Sequence, residues 1–515
     1  MERIKIKKLL KNISVQSIKG SKEVEITGLC ANSKMVAPGN LFIAKKGLTH
    51  DGARFIPDAI AAGASAILTD LYDPFFPNIV QIIHPDVATV EAAIAKEYYG
   101  HPSNHLFLVG ITGTNGKTTT SYLVRHLFEK SGELCGLIGT IEWIVGQHVY
   151  PSGKTTPDVL QNYKLFHEMV SAGCQDCVME VSSHALEQAR VQSIEFDVVV
   201  FTNLTQDHLD YHKTMDEYAQ AKAKLFSSLK KEGEKPYAKT AVVNADSPYC
   251  AQMIADCEAN ILTYGIEQPC DLSASLILLN ASGMEFNVNY QGKCYSMISP
   301  LIGRFNVYNL LASVGVGLAR GYKIEETLRI LSSFDKVPGR LERIPNEKGL
   351  NIFVDYAHTD DALSNVLSTL QELKQGRLIT VFGCGGNRDQ SKRPKMGAVA
   401  EQLSDLAIVT SDNPRNEDPE EIIRNILTGL KNPGQALVII DREEAIHHAV
   451  QMAKPEDIVL IAGKGHETYQ IFSHQTIDFD DRAVAQEACR SGCLQSNYTE
   501  RDSKNGFGPR ESSRD

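Results

Sequence analysis

The most constraining feature of the sequence is the segment ITGTNGKTTTS, from Ile111 to Ser121. It follows the apolar run FLVG and leads into the amphipathic stretch SYLVRHLFEKSG. A strand, a glycine-rich turn and a helix in this order allow backbone N–H groups at the helix N-terminus to bind phosphate. The usual pattern has glycine where this chain has Ile111, but its other features are present. The segment predicts a nucleotide-binding α/β domain, with Lys117 at the phosphates and Thr118 at Mg²⁺.

The length and charge of the chain limit the remaining possibilities. A chain of 515 residues is too long for one ordinary domain, so two to four domains are expected. The net charge of −11 favours neither nucleic acid nor anionic lipid as a partner. No apolar run is long enough to span a membrane, and no signal peptide precedes the first block. The eleven cysteines indicate reduced thiols, so we expect a cytoplasmic protein. We also expect a monomer whose partners are small molecules.

The chain falls into three blocks and a tail. Residues 1–100 contain short apolar runs broken by Pro, Gly and Asp. In residues 101–336, apolar runs that end in polar residues alternate with helical stretches, which predicts a mostly parallel sheet. Residues 337–490 repeat this alternation and predict a second doubly wound α/β unit. Residues 491–515 are polar and predict a disordered tail.

Acidic and histidine side chains follow two of the central apolar runs. Glu180 ends the run in CVMEVSS, and Asp207, His208, Asp210 and His212 follow FDVVVFTNLT. One such acid is commonly a solvated strand end, and one such histidine is commonly structural. A cluster at strand ends beside a phosphate loop instead favours a metal site. In contrast, the lysines of YAQAKAKLF indicate only a solvated helix face when their chemistry is considered alone.

Further polar positions occur at predicted strand ends of the third block. DYAHTDD contains Asp355 and His358, VFGCGGNRDQ contains Arg388, SDNPRNEDP contains Arg415, and IAGKGHE contains Lys464, His466 and Glu467. Basic and amphoteric loops at the carboxyl ends of one sheet predict a crevice that binds an anionic ligand. In the second block, Asn306 and Asn309 are three residues apart and therefore share one helix face.

These motifs, in this order, resemble the Mur ligases, which are ATP-dependent amide-forming enzymes of peptidoglycan synthesis. The resemblance rests on GTNGKTT, EVSSHAL, NLTQDHLDYH, FNVYN, PGRLE and DYAH, and it covers nearly the whole chain except the tail. TTPD, DNPR and GKGHE are similar to motifs of the members that add meso-diaminopimelate to UDP-N-acetylmuramoyl-L-alanyl-D-glutamate. The resemblance implies a UDP-binding domain at 1–100, a central ATPase domain at 101–336 and a Rossmann-like amino-acid domain at 337–490.

The resemblance also implies a mechanism. ATP would phosphorylate the D-glutamate side-chain carboxylate, and the amine of the incoming amino acid would attack the acyl phosphate. Lys117, Glu180, His208 and Lys222 would be catalytic. Lys222 would be carbamylated by CO₂, and this carbamate would bind Mg²⁺ together with Thr118, Glu180 and His208.

Three further sets of binding residues follow from the resemblance. The ATP contacts would be Thr112, Gly113, Thr114, Asn115, Gly116, Lys117, Thr118, Asn306, Asn309, Arg340, Asp355 and His358. The UDP-substrate contacts would be Ser33, Thr155, Thr156, Ser182, Gln188 and Arg190. The amino-acid contacts would be Arg388, Asp412, Asn413, Pro414, Arg415, Gly463 and Glu467. Arg415 would form a bidentate pair with the distal carboxylate of diaminopimelate, which lysine lacks.

The chain departs from the family pattern at three places, and other classes of protein remain open. Asn32-Ser33-Lys34 stands where Asp-Ser-Arg is usual, Asp360 replaces a proline, and Asn387 replaces an aspartate. A lysine-adding ligase should lack Arg415, and a folate polyglutamate synthase typically has Gly-Lys-Gly-Ser in the phosphate loop. A phosphate-loop switch or motor would turn over nucleotide without an amino acid. A non-catalytic binding protein would not need Lys117, Glu180, His208 and Lys222 intact.

Overall fold

The computed structural model describes residues 3–47, 51–231, 233 and 235–490, and it gives no side-chain description for Asp210. The tail predicted at 491–515 lies outside the described residues. The chain divides into two compact units, Met1–Val337 and Pro338–Asp515. No helix in the described part of the chain is long and apolar enough to cross a membrane.

The N-terminal part of the first unit is a small α/β layer. Its elements in chain order are β1 (Ile4–Lys5), α1 (Ile6–Leu9), β2 (Ser17–Lys19), β3 (Glu25–Ile26), β4 (Gly28–Cys30), β5 (Asn40–Ile43), α2 (Ile56–Ala61), β6 (Ala66–Thr69), β7 (Val80–Ile83) and α3 (Val87–Tyr98), with 3-10 turns at Ser33–Met35 and Gly52–Phe55. The five strands of its larger sheet lie in the order β2-β7-β6-β5-β4. All neighbours in this sheet are parallel except β2 and β7.

The rest of the first unit is built on one large sheet. After a 3-10 turn at Pro102–His105, its elements are β8 (Phe107–Thr112), α4 (Lys117–Lys130), β9 (Cys135–Ile138), β10 (Glu142–Val145), β11 (His148–Pro151), α5 (Val159–Ser171), β12 (Asp176–Glu180), α6 (Ser183–Glu187), β13 (Val198–Phe201), α7 (Leu209–His212), α8 (Met215–Ser227), β14 (Thr240–Asn244), α9 (Cys250–Ile254), β15 (Asn260–Gly265), β16 (Leu272–Asn280), β17 (Gly283–Tyr290), β18 (Lys293–Ser299), α10 (Arg304–Arg320) and α11 (Ile324–Ser332).

The order of strands places the phosphate loop at the middle of this sheet. Eleven strands lie in the order β11-β10-β9-β12-β8-β13-β14-β15-β16-β17-β18. Neighbouring strands are parallel across the middle of the sheet, β9-β12-β8-β13-β14-β15-β16. The strands beyond β9 and β16 are antiparallel and extend both edges of the sheet. Every residue of β8, β12 and β13 is buried, as expected for parallel strands covered on both faces. The carboxyl ends of these three strands therefore meet where the glycine-rich turn begins.

The second unit repeats the doubly wound plan. Its elements are β19 (Glu342–Arg343), β20 (Asn351–Asp355), α12 (Asp360–Leu373), β21 (Leu378–Phe382), α13 (Lys392–Leu403), β22 (Leu406–Val409), α14 (Pro419–Leu427), a 3-10 turn (Pro433–Gln435), β23 (Leu437–Val438), α15 (Arg442–Met452), β24 (Ile458–Ala462), β25 (Tyr469–Ile471), β26 (Thr476–Asp478) and α16 (Asp481–Arg490). The six strands of the main sheet lie in the order β19-β20-β24-β21-β22-β23, and only β19 is antiparallel to its neighbour.

Each unit has its own hydrophobic core. In the second unit, Ile352 and Val354 of β20 pack with Ile379, Ile408 and Ile461 of neighbouring strands. The apolar runs of residues 337–490 thus form buried parallel strands, and the helical stretches cover them. The prediction of an α/β fold with mostly parallel sheets is confirmed.

Candidate active site

The turn between β8 and α4 has the backbone geometry of a phosphate loop. Gly113 and Gly116 have φ angles of 150° and 86°, which residues with a side chain rarely adopt. A Cβ atom on Gly116 would also collide with Asn309 Oδ1. The Thr114 N–H donates to Asn203 O at 2.9 Å, and the Asn115 N–H donates to Asn203 Oδ1 at 2.9 Å. Asn203, two residues after β13, therefore fixes the turn to the end of the neighbouring strand.

Lys117 lies at the start of α4 and bends back over this turn. Its ammonium donates to Gly113 O at 2.9 Å and to Thr114 O at 2.8 Å. The structure thus holds the positive charge directly above the backbone that the sequence predicts to bind phosphate.

Glu180 lies at the carboxyl end of β12 and is fully buried. Its carboxylate accepts the Thr118 hydroxyl at 3.1 Å, the Thr140 hydroxyl at 2.9 Å and the Thr140 N–H at 2.9 Å. A carboxylate and two hydroxyls therefore meet at the first turn of α4. These are the hard oxygen groups that Mg²⁺ prefers.

Lys222 is the most unusual titratable group of the first unit. Its side chain is buried in the interior of α8, and its ammonium donates to Gly113 O at 2.9 Å. The Gly113 carbonyl therefore accepts from both Lys222 and Lys117. Burial, and then the charge of Lys117, lowers the pKa of Lys222 well below its usual value. The expectation from residue chemistry alone, a solvated helix face, is wrong for Lys222, because this position of α8 faces the core.

The predicted histidine cluster is divided by the structure. His208 is exposed, has a φ angle of 54°, and lies 4.9 Å from the His184 ring. Partial burial lowers the pKa of His208; Asp207 opposes this change, while His184, Lys117 and Lys222 add to it. His212 is buried and shares a 2.8 Å hydrogen bond with the Ser183 hydroxyl. Within the described residues, no group of three or more His, Cys, Asp or Glu side chains is arranged to hold a metal ion.

Helix α10 brings two predicted ATP contacts to the phosphate loop. The Thr120 hydroxyl of α4 donates to Asn309 Oδ1 at 3.3 Å, and Asn309 Nδ2 donates to Asn306 Oδ1 at 2.8 Å. Asn306 Nδ2 in turn donates to Ile302 O at 2.8 Å. Both asparagines are buried. This chain of hydrogen bonds therefore holds α10 against the first turn of α4, which follows the phosphate loop.

Five of the six predicted UDP-substrate residues are close together. The Thr140 and Thr155 hydroxyls are 3.1 Å apart, and the Thr156 hydroxyl donates to Glu180 O at 2.8 Å. The Ser182 N–H donates back to Thr156 Oγ1 at 3.0 Å.

Arg190 completes this group through its guanidinium. It donates to Thr156 O at 2.9 Å and to Gln188 Oε1 at 3.0 Å. Ser33 lies in the 3-10 turn after β4 and makes no hydrogen bond to the other five among the described residues.

Three predicted ATP contacts lie in the second unit, around the carboxyl end of β20. Asp355 accepts the Leu341 N–H at 2.7 Å and the Ala357 N–H at 2.8 Å. Burial raises the pKa of Asp355, and the charge of Arg340 opposes this shift. The Arg340 guanidinium lies 4.8 Å from the centre of the Tyr356 ring, and His358 Nδ1 shares a 2.8 Å bond with Tyr356 O.

The DNPR segment follows β22 and is bonded to the GKGHE segment after β24. Asn413 Nδ2 donates to Glu467 Oε2 at 2.9 Å, and the Lys464 ammonium donates to the same oxygen at 3.0 Å. Gly463 has a φ angle of 118°, and a Cβ there would lie 2.7 Å from Asp412 Oδ2. Asp412, Asn413, Gly463 and Glu467 therefore form one connected group at the carboxyl edge of the sheet.

Arg415 and Arg388 provide positive charge at this edge. Arg415 follows Pro414 with a φ angle of 52°, and its Nη1 donates to Gly386 O at 2.9 Å. Its Nε and Nη2 have no hydrogen-bond partner among the described residues, so two donors remain for a ligand. Arg388 is exposed in the neighbouring loop.

Several residues of the site were not predicted from the sequence. Thr140 bonds to Glu180, Asn203 holds the phosphate loop, and the Tyr218 hydroxyl lies 3.3 Å from Thr114 Oγ1. The sequence placed Lys464 in a crevice that binds an anionic ligand but gave it no specific role; its ammonium donates to Glu467 Oε2 at 3.0 Å. Thr140 and Asn203 could have been found, because each lies two residues after a strand of the parallel sheet.

The fold and these contacts define an α/β nucleotide-binding protein of the phosphate-loop class. Family models match three segments of the chain: the Mur ligase family, catalytic domain, at residues 25–99; the Mur ligase middle domain at 111–317; and the Mur ligase, glutamate ligase domain, at 339–465.

Relatives along nearly the full chain agree with these models. A protein of Geobacillus kaustophilus (strain HTA426) is 44% identical over 90% of this chain and 95% of its own length. One of Chlamydia abortus (strain DSM 27085 / S26/3) is 46% identical over 93% and 98%, respectively. Both are named UDP-N-acetylmuramoyl-L-alanyl-D-glutamate--2,6-diaminopimelate ligase. A solved structure with this name matches with a TM-score of 0.70 and 32% identity, over 95% of this chain and 99% of that one. The chain belongs to the Mur ligase family and is a ligase.

Proposed function

We propose that the chain is the ATP-dependent ligase that adds meso-diaminopimelate to UDP-N-acetylmuramoyl-L-alanyl-D-glutamate in the cytoplasmic synthesis of peptidoglycan precursor. The names of the relatives support this substrate pair. We propose that the chain acts on these small molecules as a monomer. The observation that carries the proposal is the buried Lys222 amine bonded to the Gly113 carbonyl of the phosphate loop. A phosphate-loop switch or motor would need Lys117 but not a second, buried lysine such as Lys222 at the phosphate loop.

The protein's first task is to position the phosphates of ATP. The Gly116 N–H and the N-terminus of α4 would bind the phosphate oxygens, because the Thr114 and Asn115 N–H groups already donate to Asn203. Lys117 would leave the Gly113 and Thr114 carbonyls and pair with the transferring phosphate, whose charge it neutralises. The substrate carboxylate would attack the γ-phosphorus, which forms an acyl phosphate and releases ADP. The amine of the amino acid would then attack the acyl carbon, lose a proton and expel inorganic phosphate as the amide forms.

Mg²⁺ fits the oxygen donors of the site, and it would neutralise charge on the phosphates. Thr118 and Glu180 would hold it, and exposed His208 would complete the set. Lys222 does not fit as an ammonium, because its positive charge would repel the ion. Its lowered pKa favours the neutral amine, which can add CO₂ and lose a proton to form a carbamate. That change reverses the charge and converts Lys222 into a metal ligand.

The UDP-linked dipeptide, which is the acyl donor, and the incoming amino acid would bind to separate sets of residues. Thr155, Thr156, Ser182, Gln188 and Arg190 would hold the UDP-linked dipeptide, with Ser33 on the nucleotide side. Arg415 would bind the distal carboxylate of diaminopimelate through Nε and Nη2, with Arg388, Asn413 and Glu467 around the amino-acid group. An analogue without that carboxylate would leave Arg415 without its partner, and sites built in this way can discriminate by roughly 10⁴–10⁵.

The test is phosphate release with ATP, Mg²⁺ and the UDP-linked dipeptide, with meso-diaminopimelate or L-lysine added in parallel. We expect release and a tripeptide product with diaminopimelate alone. Lys222→Ala should abolish release, whereas Lys224→Ala should retain it, because Lys224 is exposed and pairs with Glu187 at 2.7 Å. Steady ATP hydrolysis without an amino acid would contradict the ligase, and equal release with lysine would contradict the role of Arg415.

A further inference from the structure

The loops that contain Arg388 and Arg415 are bonded to each other. The Gly386 N–H donates to Asn413 O at 2.9 Å, and Arg415 Nη1 donates back to Gly386 O at 2.9 Å. A Cβ atom on Gly386 would collide with Pro414 O, so the approach of the two backbones requires glycine there. The position of Arg415 therefore depends on the loop after β21 as well as on its own.

Asn387 makes the side-chain link between these loops. Its Oδ1 accepts the N–H of Asn416, the residue after Arg415, at 3.0 Å. Asn387 and Arg415 both have φ angles of 52°, a region that asparagine tolerates and arginine adopts at an energetic cost. The bond thus holds the chain immediately after the strained residue.

The other end of this link is fixed to α13. One carboxylate oxygen of Glu417 accepts a hydrogen bond from the Asn387 N–H. The other carboxylate oxygen accepts one from Arg393 Nη2 at 2.8 Å. The Arg393 side chain is fully buried, so the ion pair anchors Glu417 to the core of the second unit. The link runs from buried Arg393 through Glu417 and Asn387 to the backbone that presents Arg415.

We propose that Asn387 is a positioning residue that sets the orientation of Arg415 and thereby the selectivity for the distal carboxylate; this role rests on the proposed function. Asn387 itself is exposed and Asn416 is exposed. Water can therefore replace their hydrogen bond, so its loss should change the position of Arg415 more than the stability of the protein.

Asn387→Gly tests this role in the full chain, because it removes the side chain and tolerates the positive φ angle. We expect the KM for meso-diaminopimelate to rise roughly ten-fold, with kcat and the KM for ATP unchanged. The preference for diaminopimelate over L-lysine should fall by a similar factor. Tm should change by less than about 3 °C. Asn387→Asp retains an acceptor for the Asn416 N–H, so its KM for meso-diaminopimelate should equal that of the wild-type protein.

Glu401→Ala is the matched control, because Glu401 also fixes a loop of the second unit by accepting two backbone N–H groups. These are the N–H groups of Lys431, at 2.8 Å, and Asn432, at 2.6 Å. It should leave the KM for diaminopimelate unchanged. A wild-type KM in Asn387→Gly, or an equal rise in both variants, would overturn the role of Asn387 while leaving the ligase intact. Absence of diaminopimelate-dependent release in the wild-type protein would overturn both.

Discussion

Arg415 combines a strained backbone with donor atoms, Nε and Nη2, that have no acceptor among the described residues. With a φ angle of 52°, Arg415 donates from Nη1 to Gly386 O and Asn413 O, whereas Nε and Nη2 donate to neither carbonyl. A residue held in a costly conformation at a ligand edge is a recurrent feature of binding sites. The contacts of Arg415 therefore support a role in recognition over a role in stability.

Replacing Arg415 by alanine should remove recognition of the distal carboxylate. Because charge-assisted bonds contribute about 1.5–3 kcal/mol each, kcat/KM for diaminopimelate should fall by about 10²-fold or more. Steady-state kinetics with both amino acids would measure this change. Arg424→Ala, at an exposed position of α14, is the control and should behave as wild type. A small and equal loss for diaminopimelate and lysine would assign Arg415 a structural role.

His466 should make the second unit sensitive to acid. Burial, followed by the charges of Arg340 and Arg482, lowers the pKa of His466 to about 4. The unfolded chain, with an ordinary histidine pKa, binds the proton more tightly, so stability is full above about pH 6.5 and falls between about pH 6.5 and 4.

The loss at His466 can reach about 3 kcal/mol. His466→Gln should flatten the dependence of unfolding free energy on pH in this window, as measured by urea titration at several pH values. His474→Gln, at an exposed position outside this group, should leave the slope unchanged. Identical slopes in wild type and His466→Gln would show that His466 does not carry this effect.

The sequence predicted residue types at the site better than it predicted their environment. The position of Lys117 and Thr118 at the start of the helix after the glycine-rich turn followed from a local pattern, because strand, turn and helix are adjacent in the chain. The burial of Lys222 could not follow from its neighbours, since lysine on a helix is usually solvated and only the packing of α8 decides which face turns inward. The resemblance to a family singled out Lys222 where periodicity did not.

At the scale of elements, α10 is coupled to the phosphate loop through Asn309. Asn309→Ala removes the bonds to Thr120 and Asn306, which are both buried. The unfolding free energy should fall by about 1–3 kcal/mol, and ATP should bind more weakly because the turn loses its support. Calorimetric titration with ATP and a urea titration would measure the two effects.

Ser313→Ala is the control on the same helix. The Ser313 hydroxyl donates to Asn309 O at 2.8 Å, one turn further along α10 and away from the loop. It should lower stability by about 1 kcal/mol and leave the affinity for ATP unchanged. Unchanged ATP binding in Asn309→Ala would show that α10 does not support the turn.

Strands that form a continuous apolar run were predictable from the sequence, and strands that lack such a run were not. FLVGIT, LITVF and IVLIA are short apolar runs followed by polar turns, and they form β8, β21 and β24. The antiparallel hairpins of β16, β17 and β18 were not predicted. A third of their residues are exposed, including Leu276 and Leu278, and the pairing of β16 with β17 is interrupted between Ser275 and Leu278. Such strands lack the continuous apolar run that marks a buried one.

At the scale of the whole molecule, each compact unit carries a separate core. The cluster that includes Ile352, Ile379 and Ile461 lies entirely within the second unit. The domain boundaries predicted at 100, 336 and 490 remain predictions. A unit with its own core and a length typical of a domain should fold alone.

The fragment 338–490 should therefore unfold in one cooperative transition in urea, as followed by circular dichroism. Ile461→Ala should destabilise this fragment by about 2–5 kcal/mol, because Ile461 is fully buried in the central strand β24. Val438→Ala, at a position that is 46% exposed, should change its stability by about 0.5 kcal/mol or less. A broad, non-cooperative transition, or equal effects of the two substitutions, would mean that this core forms only in the full chain.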